Sequence, residues 1–328
     1  KTHAYILTGK KKADFLEPVK KSGLNVEIIV RNRDEPSSTR FEEIMHGANF
    51  DTSRTDITLG IFEKDRFGGP FAESWYRFLE ESKFKKFDLS YACAKLLAVK
   101  DESELSTVKV AASICSDLYT HFVKSKILDI IDDEKTIRHS SLSHEIENAL
   151  ENQKYHPKGT LVRDIEACFP PIVQSGGKYN LKFSTSSENT NITFNCIITF
   201  LGVRYKYYCS SIVRTLMVQP SDDLKKLYSF TLSLYDLAVC NLKPETKFCN
   251  VYKAVLDSVK SNYPQFVENF TRSIGFVTGL EFRENSLIID SKNVNQIEKG
   301  MVFTVLIGFQ NVKVAGHREL MCVAVGDT

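Results

Sequence analysis

Long apolar runs are the first thing this sequence lacks. The longest, Cys196–Val203 and Met301–Phe309, fall far short of the roughly 20 residues a membrane-spanning helix needs, and they read as buried strands. An excess of charge of one sign is also missing, because 43 Lys and Arg face 41 Asp and Glu for a net charge of +2. Binding to phosphates demands clustered cations, so sequence-specific nucleic acid is not the partner this balance suggests. The eight cysteines, Cys93, Cys115, Cys168, Cys196, Cys209, Cys240, Cys249 and Cys322, form no CxxC pair and show no zinc spacing. Most sit in apolar segments, where a free thiol behaves as a small hydrophobe. A reducing compartment is the simplest reading. No signal or transit pattern is present, so the glycosylation-like Asn191-Ile-Thr193 and Asn269-Phe-Thr271 carry little weight. There is no internal repeat and no low-complexity run. The chain opens on Lys1 rather than Met and stops at Thr328, just after a strand-like run, which reads as a fragment of a longer protein.

What is present is an ordinary globular composition, 42% hydrophobic and 26% charged over 328 residues, enough for two domains at about 150 residues each. Up to about residue 92 the pattern alternates: strand at Ala4–Thr8, helix at Lys11–Lys21, strand at Val26–Val30, a polar loop at Arg31–Thr39, a short helix at Phe41–His46, strand at Asp56–Phe62, helix at Pro70–Glu81 and a last strand at Phe87–Tyr91. Alternation of this kind predicts an α/β lobe, placed at 1–100 and possibly lacking its start. From Leu105, apolar residues at 105, 108, 112, 115, 119 and 122 predict a long helix to Ile131. Asp132-Asp-Glu134 ends it, either as a plain polar helix end or as an attractor of Lys-rich tails. Ser140 or Ser141 caps a further helix to about Leu150. Strands are expected at Leu181–Ser184, Ile192–Gly202, Tyr205–Met217, Leu280–Phe282, Leu287–Ile289, Met301–Phe309 and Leu320–Val325, and helices at Ser221–Leu242 and Lys247–Lys260. Long helices with an antiparallel sheet make residues 101–328 an α+β lobe.

Three pieces of the second region carry more information: Gly202-Val-Arg-Tyr-Lys-Tyr-Tyr-Cys-Ser-Ser-Ile-Val-Arg-Thr215, Gly275-Phe-Val-Thr-Gly-Leu-Glu-Phe-Arg-Glu284 and Gly300-Met-Val-Phe-Thr-Val-Leu-Ile-Gly308. With Gly326-Asp-Thr328 they resemble, in order, the landmarks of the pita-bread family of methionine and proline-specific aminopeptidases, prolidases and creatinase. The resemblance implies a pita-bread fold for the second lobe. Active members hold two divalent ions by two Asp, one His and two Glu, whose lone pairs the two-metal activation of water requires. The family's Asp-x-Gly falls here at Phe200, and its second Asp, eleven residues on, at Ser211. The His of Gly-His-x-x-Gly falls at Phe276, the Glu of Thr-x-Glu-Pro-Gly at Leu306 and the final Glu at Gly326. A second His near the scissile bond falls at Arg283, a fixed cation, while Glu284 is retained. This pattern implies no peptidase activity, no metal and no cofactor.

Within that family, Cys168-Phe-Pro-Pro-Ile-Val-Gln-Ser-Gly-Gly177, Tyr179-Asn-Leu-Lys-Phe183, Tyr208–Met217, Gly279–Glu284, Phe62-Glu-Lys-Asp-Arg-Phe-Gly-Gly-Pro-Phe71 and Trp75 resemble the catalytically dead N-terminal domains of the large subunits of FACT histone chaperones. That resemblance implies a nuclear, chromosomal, nucleosome-reorganising protein of transcription, replication and repair. It implies binding to core histones and histone tails, and a small HMG-type subunit engaged through domains outside this stretch. An interaction scaffold for replication or transcription factors is the alternative, and an active proline-specific metallopeptidase the third reading. The residues offered for peptide or histone contact are Gln174, Ser175, Gly176 and Gly177, on the strand that flanks the family's substrate, and Arg283 with Glu284. Each has a plainer reading, as a turn into a strand and as an ion pair. Phe200, Phe276 and Leu306 fill the old metal site or simply pack the core. Lys10-Lys-Lys12 reads as a solvated helix start, with phosphate or acidic-partner binding the alternative. His139 and His144 read as cap and surface residues, and Trp75 as core.

Overall fold

The computed structural model describes residues 3–32, 36–48, 50, 54–63 and 67–328. Arg33–Glu35 of the expected polar loop and Lys64–Arg66 of the Phe62–Phe71 run lie outside the described residues. The chain divides into two units, Lys1–Cys93 and Ala94–Thr328. The first contains β1 (His3–Thr8), α1 (Lys10–Leu16), β2 (Asn25–Val30), α2 (Ser37–Gly47), β3 (Thr58–Ile61), α3 (Pro70–Glu81) and β4 (Lys85–Asp88). Both β1–β2 and β3–β4 pair parallel, as the α/β pattern requires. Phe41, 2% exposed, gathers the helices: its ring lies 5.0 Å from that of Trp75 and 5.4 Å from that of Phe78. The strand expected at Phe87–Tyr91 ends at Asp88. The Asp88 carboxylate accepts the Ser90 N–H at 2.8 Å and starts α4 (Ser90–Ala98) instead.

The second unit is built on one eight-stranded sheet. Its strands are β5 (Ile165–Ala167), β6 (Ile172–Gln174), β7 (Cys196–Tyr205), β8 (Tyr208–Met217), β9 (Ser273–Thr278), β10 (Ile288–Asp290), β11 (Val302–Val312) and β12 (Met321–Asp327). The order is β10-β9-β11-β12-β8-β7-β5, with β6 also on β7. β7 and β8 form a hairpin whose turn residues, Lys206 and Tyr207, have φ of 45° and 75°, the twist a two-residue hairpin favours. Alternate residues of β7 enter different clusters: Ile197, Leu201 and Val203 pack with one, Cys196, Ile198 and Phe200 with the other. A strand covered on both faces reads as one apolar run.

The long helix is interrupted. A capping box, in which Asp101 and Glu104 each accept the other's backbone N–H at 2.8 and 2.7 Å, starts α5 (Glu102–Leu118). One π turn (Tyr119–Val123) follows, and α6 (Lys124–Asp132) continues. α7 (His139–Ala149) starts one residue before Ser140 and has no side-chain cap, so neither serine caps it. These helices cover Ile197, Leu201, Val203 and Ile212. α8 (Asp222–Asn241), capped by Ser221, and α9 (Phe248–Asn262) cover the β9–β11–β12 part of the sheet.

Two expected strands are not strands. Leu181–Ser184 leads into a turn, with Leu181 N–H held by Gln310 Oε1 at 3.0 Å, and Leu280–Phe282 is a bend. Leu181 is buried and Phe183 and Phe282 half-buried by turning inward rather than by pairing, while Leu280 stays exposed.

Candidate functional site

The sheet register brings the five family positions together. Phe200 lies opposite Val213, Val213 opposite Gly326, and Gly326 opposite Leu306. One line of residues therefore crosses β7, β8, β12 and β11. Residues opposite one another in antiparallel ladders share a face, as do residues two apart on one strand. Ser211 is two residues from Val213, and Phe276 lies opposite Thr304, two from Leu306. Ser211 donates its N–H to Thr328 Oγ1 at 2.9 Å, and the Thr304 and Thr328 hydroxyls lie 3.0 Å apart. The acid beside this line, Asp327, accepts from Arg214 Nη2 at 2.6 Å.

Phenylalanine rings fill the space on this face. Phe183, delivered by the turn after Leu181, meets Phe200 at 5.3 Å, Phe276 at 5.5 Å and Phe282 at 5.2 Å between centroids. Phe169 meets Phe183 and Phe282. Edge-to-face pairs of this kind contribute about 0.5–1.5 kcal/mol each beyond burial. Glycine makes room: a Cβ on Gly202 would lie 2.4 Å from the Phe169 ring, and one on Gly275, at φ +152°, 2.4 Å from Thr304 O. Phe169, Phe183 and Phe282 were missed as site residues. Their one sequence signal is a lone aromatic between polar or loop-forming neighbours, as in Lys182-Phe-Ser184. Phe200, Phe276 and Leu306 are 1%, 3% and 5% exposed, and their side chains, like that of Gly326, offer no lone pair. Among the described residues, no group of three or more His, Cys, Asp and Glu is placed to hold a metal ion.

Arg283 and Glu284 part company. The Arg283 guanidinium sits 5.4 Å from the Phe276 ring centroid, and burial holds its pKa below the ordinary value. It lines a cleft of about 500 Å³ with Phe183, Phe276, Leu306 and Arg272. Glu284 is outside that lining and buried. Its charge favours the protonated form of Lys100, whose pKa burial nonetheless brings down to about 8. Lys100 Nζ donates to Ala98 O at 2.9 Å, and its stem lies where a Cβ on Gly279 would be.

Gln174, Ser175 and Gly177 line a second cavity of about 480 Å³. The two side chains are committed internally. Gln174 bridges Asn180 N and O at 2.7 and 2.9 Å, and Ser175 Oγ accepts the Thr193 N–H at 2.9 Å. Gly176 and Gly177 take φ of 84° and 88° to make the turn. On β6, the outward Val173 N–H is taken by Ser187 Oγ at 2.9 Å, so that point of the edge is closed to an added strand. His139, expected at a cap or on the surface, is 3% exposed. Its Nδ1 lies 2.7 Å from Thr190 O and its Nε2 2.7 Å from Ser175 Oγ, and burial lowers its pKa. Pairing it with a serine far along the chain gave no local signal. His144 is exposed.

An eight-stranded antiparallel sheet packed with helices, with aromatic side chains gathered over one line of its residues, defines a pita-bread domain. Residues 106–326 match the model of metallopeptidase family M24, and residues 1–92 that of the FACT complex subunit SPT16 N-terminal lobe domain. The N-terminal domain of SPT16 from chickpea, Cicer arietinum, superposes with a TM-score of 0.90 at 30% identity, over 98% of this chain and 78% of that one. A prolidase from Thermococcus sibiricus gives a TM-score of 0.78 at 20% identity, over 98% of this chain and 78% of that one, a likeness of fold. SPT16 of Yarrowia lipolytica is 31% identical over 313 residues, 93% of this chain and 31% of the relative. That of Caenorhabditis elegans is 31% identical over 340, 100% of this chain and 32% of the relative. The chain thus spans about a third of the length of these curated relatives. It belongs to metallopeptidase family M24, and within it to the SPT16 N-terminal domains.

Proposed function

We propose that this chain is a non-catalytic histone-binding module of a nucleosome-reorganising histone chaperone, acting in the nucleus on core histones and their tails. The observation that carries the non-catalytic part is the identity of the side chains on the inner face. A two-metal centre needs anionic or imidazole donors from several strands. Here Phe200, Phe276, Leu306 and Gly326 carry none, and the fifth position is the neutral Ser211. The residues present do not fit two divalent ions, and no hydrolytic step is derived through them. The histone part is supported by the likeness to SPT16 subunits of the FACT complex along the whole chain. A small HMG-type partner subunit would be met by segments of the longer protein. With a net charge of +2, contact with basic histones has to use a local acidic surface and weaken with salt.

The test is elemental analysis of the purified protein together with calorimetric titration of core histones and tail peptides on the same sample. Salt-sensitive histone binding with sub-stoichiometric metal is expected. Two equivalents of bound metal return the chain to the peptidases. Absence of histone binding leaves the alternative, a scaffold for replication or transcription factors, which a pull-down against those proteins separates.

A further inference from the structure

Two residues lining the cleft over the aromatic cluster each carry a buried polar atom without a partner among the described residues. Arg283 Nε and Thr271 Oγ1 are both buried and make no hydrogen bond among the described residues, and both residues line the same cleft of about 500 Å³. Buried polar groups in folded proteins are nearly always paired. The two residues that carry these atoms therefore hold hydrogen-bonding capacity that the described fold leaves unused.

Three cations and one carboxylate stand around them. Burial lowers the pKa of Arg283, and among the described residues no carboxylate forms an ion pair with its guanidinium. The Phe276 ring beneath it fixes its position. Lys182 and Arg272, both exposed, stand on the same lining, with Glu268 the one carboxylate there. Glu284, next in sequence, is spent beside buried Lys100. Below the cations lie Phe183, Phe276 and Leu306.

We infer that this cleft binds an acidic peptide segment of a partner, with carboxylates on Arg283 and Arg272 and an apolar side chain on the Phe276–Leu306 floor. A guanidinium with unused donors matches a carboxylate better than any other peptide group. Thr271 stands on the same lining. A lysine-rich tail brings like charge against three cations and is excluded, so any histone surface lies elsewhere on the chain. The inference rests on the proposed reading only in taking the cleft as non-catalytic.

The experiment is a fluorescence-anisotropy titration of the whole chain with a short fluorescein-labelled peptide alternating Glu with Leu and Phe. The same peptide with Gln for every Glu, and with Lys for every Glu, are the controls. The Glu peptide binds, more weakly as salt rises, and the Gln and Lys peptides do not. The exposed-site variant Arg272→Glu, shown to be folded by its thermal unfolding, and Arg283→Met each weaken binding by about tenfold or more, which is about 1.4 kcal/mol. No binding of the Glu peptide, binding unchanged in both variants, or equal binding of the Lys peptide overturns the inference. So does displacement of the peptide by a single-stranded oligonucleotide, which would make the site one for phosphates. Core histones titrated into the same samples keep the two readings apart. Histone binding without acidic-peptide binding removes this inference alone, and the reverse removes the histone reading alone.

Discussion

The rings of Phe183 and Phe200 meet edge to face, 5.3 Å apart with planes at 89°. Phe183 comes from a turn and Phe200 from the middle of a ten-residue strand, so this contact ties a loop to the sheet. Phe200→Ala removes a side chain that is 1% exposed and is expected to cost about 3–5 kcal/mol. The double variant Phe183→Ala/Phe200→Ala costs less than the sum of its parts, because the two share one contact. Urea unfolding of the four proteins of this cycle measures both. Strict additivity would show that the rings act separately.

Placing a carboxylate back at one family position does not bring back a metal. In Phe200→Asp the acid faces Phe183, Ile172 and Val213, and among the described residues no group of three or more His, Cys, Asp and Glu is placed to hold a metal ion. A buried unpaired charge is expensive and takes up a proton instead. Expected are a destabilised protein and a melting temperature indifferent to added zinc or manganese. A rise in melting temperature with either ion would show that a donor set persists.

Lys100 makes stability depend on alkaline pH. Its folded pKa of about 8 lies below the ordinary 10.5, so between these values the unfolded chain holds more protons and stability rises with pH. The full gain is roughly 3 kcal/mol at 1.36 kcal/mol per unit. Burial raises Cys115 and Cys196 to about 12 and Cys322 well above its ordinary 9, which reverses the slope above about pH 9 because the unfolded thiols ionise first, and Tyr119 and Tyr235, raised by burial to about 12, add to the fall above about pH 10. Chemical denaturation from pH 7 to 9 is expected to show the rise, and Lys100→Met to reduce it. An equal rise in the variant would assign it to another group.

Acid acts through two histidines. Burial lowers the pKa of His139 and of His156 below 6.5. Protons therefore bind the unfolded chain first, and stability falls as pH drops below about 6.5. Both ring nitrogens of His156 are buried without partners among the described residues, so His156→Phe keeps the packing and removes part of the acid slope at no cost near neutrality. Stability measured at pH 7 and at pH 5 in both proteins decides it. A slope identical in the two leaves His139 as the source.

Periodicity made the long elements legible. Strands β7 and β11 contain near-continuous apolar runs, α8 and α9 are amphipathic with Ser221 as a visible cap, and the α/β alternation of the first unit stands out. Short elements escaped. β5 and β6 are three residues each and too brief for a pattern, and α4 begins on a local Asp88–Ser90 contact that composition does not reveal. Leu181–Phe183 and Leu280–Phe282 carry a strand-like apolar content, yet each buries its phenylalanine by bending. The same limit applies to the site. The five family positions are found from motif spacing, whereas Phe169, Phe183 and Phe282 reach them from loops, through tertiary contacts with no fixed sequence interval. His139 meets Ser175 for the same reason.

The sheet's two ends have a consequence for behaviour in concentrated solution. Every long strand lies inside the order β10-β9-β11-β12-β8-β7-β5, and the strands left at the margins are three residues long. β6, which shares the β7 margin, is just as short, and Pro170 and Pro171 separate it from β5. An unpaired edge of that length gives another copy's backbone almost nothing to zip onto. A strand-rich domain can thus stay dispersed among its own copies, while a cut or destabilisation that strips β7 from β8 lays bare ten residues of apolar ladder and turns the same sheet into a seed for aggregation.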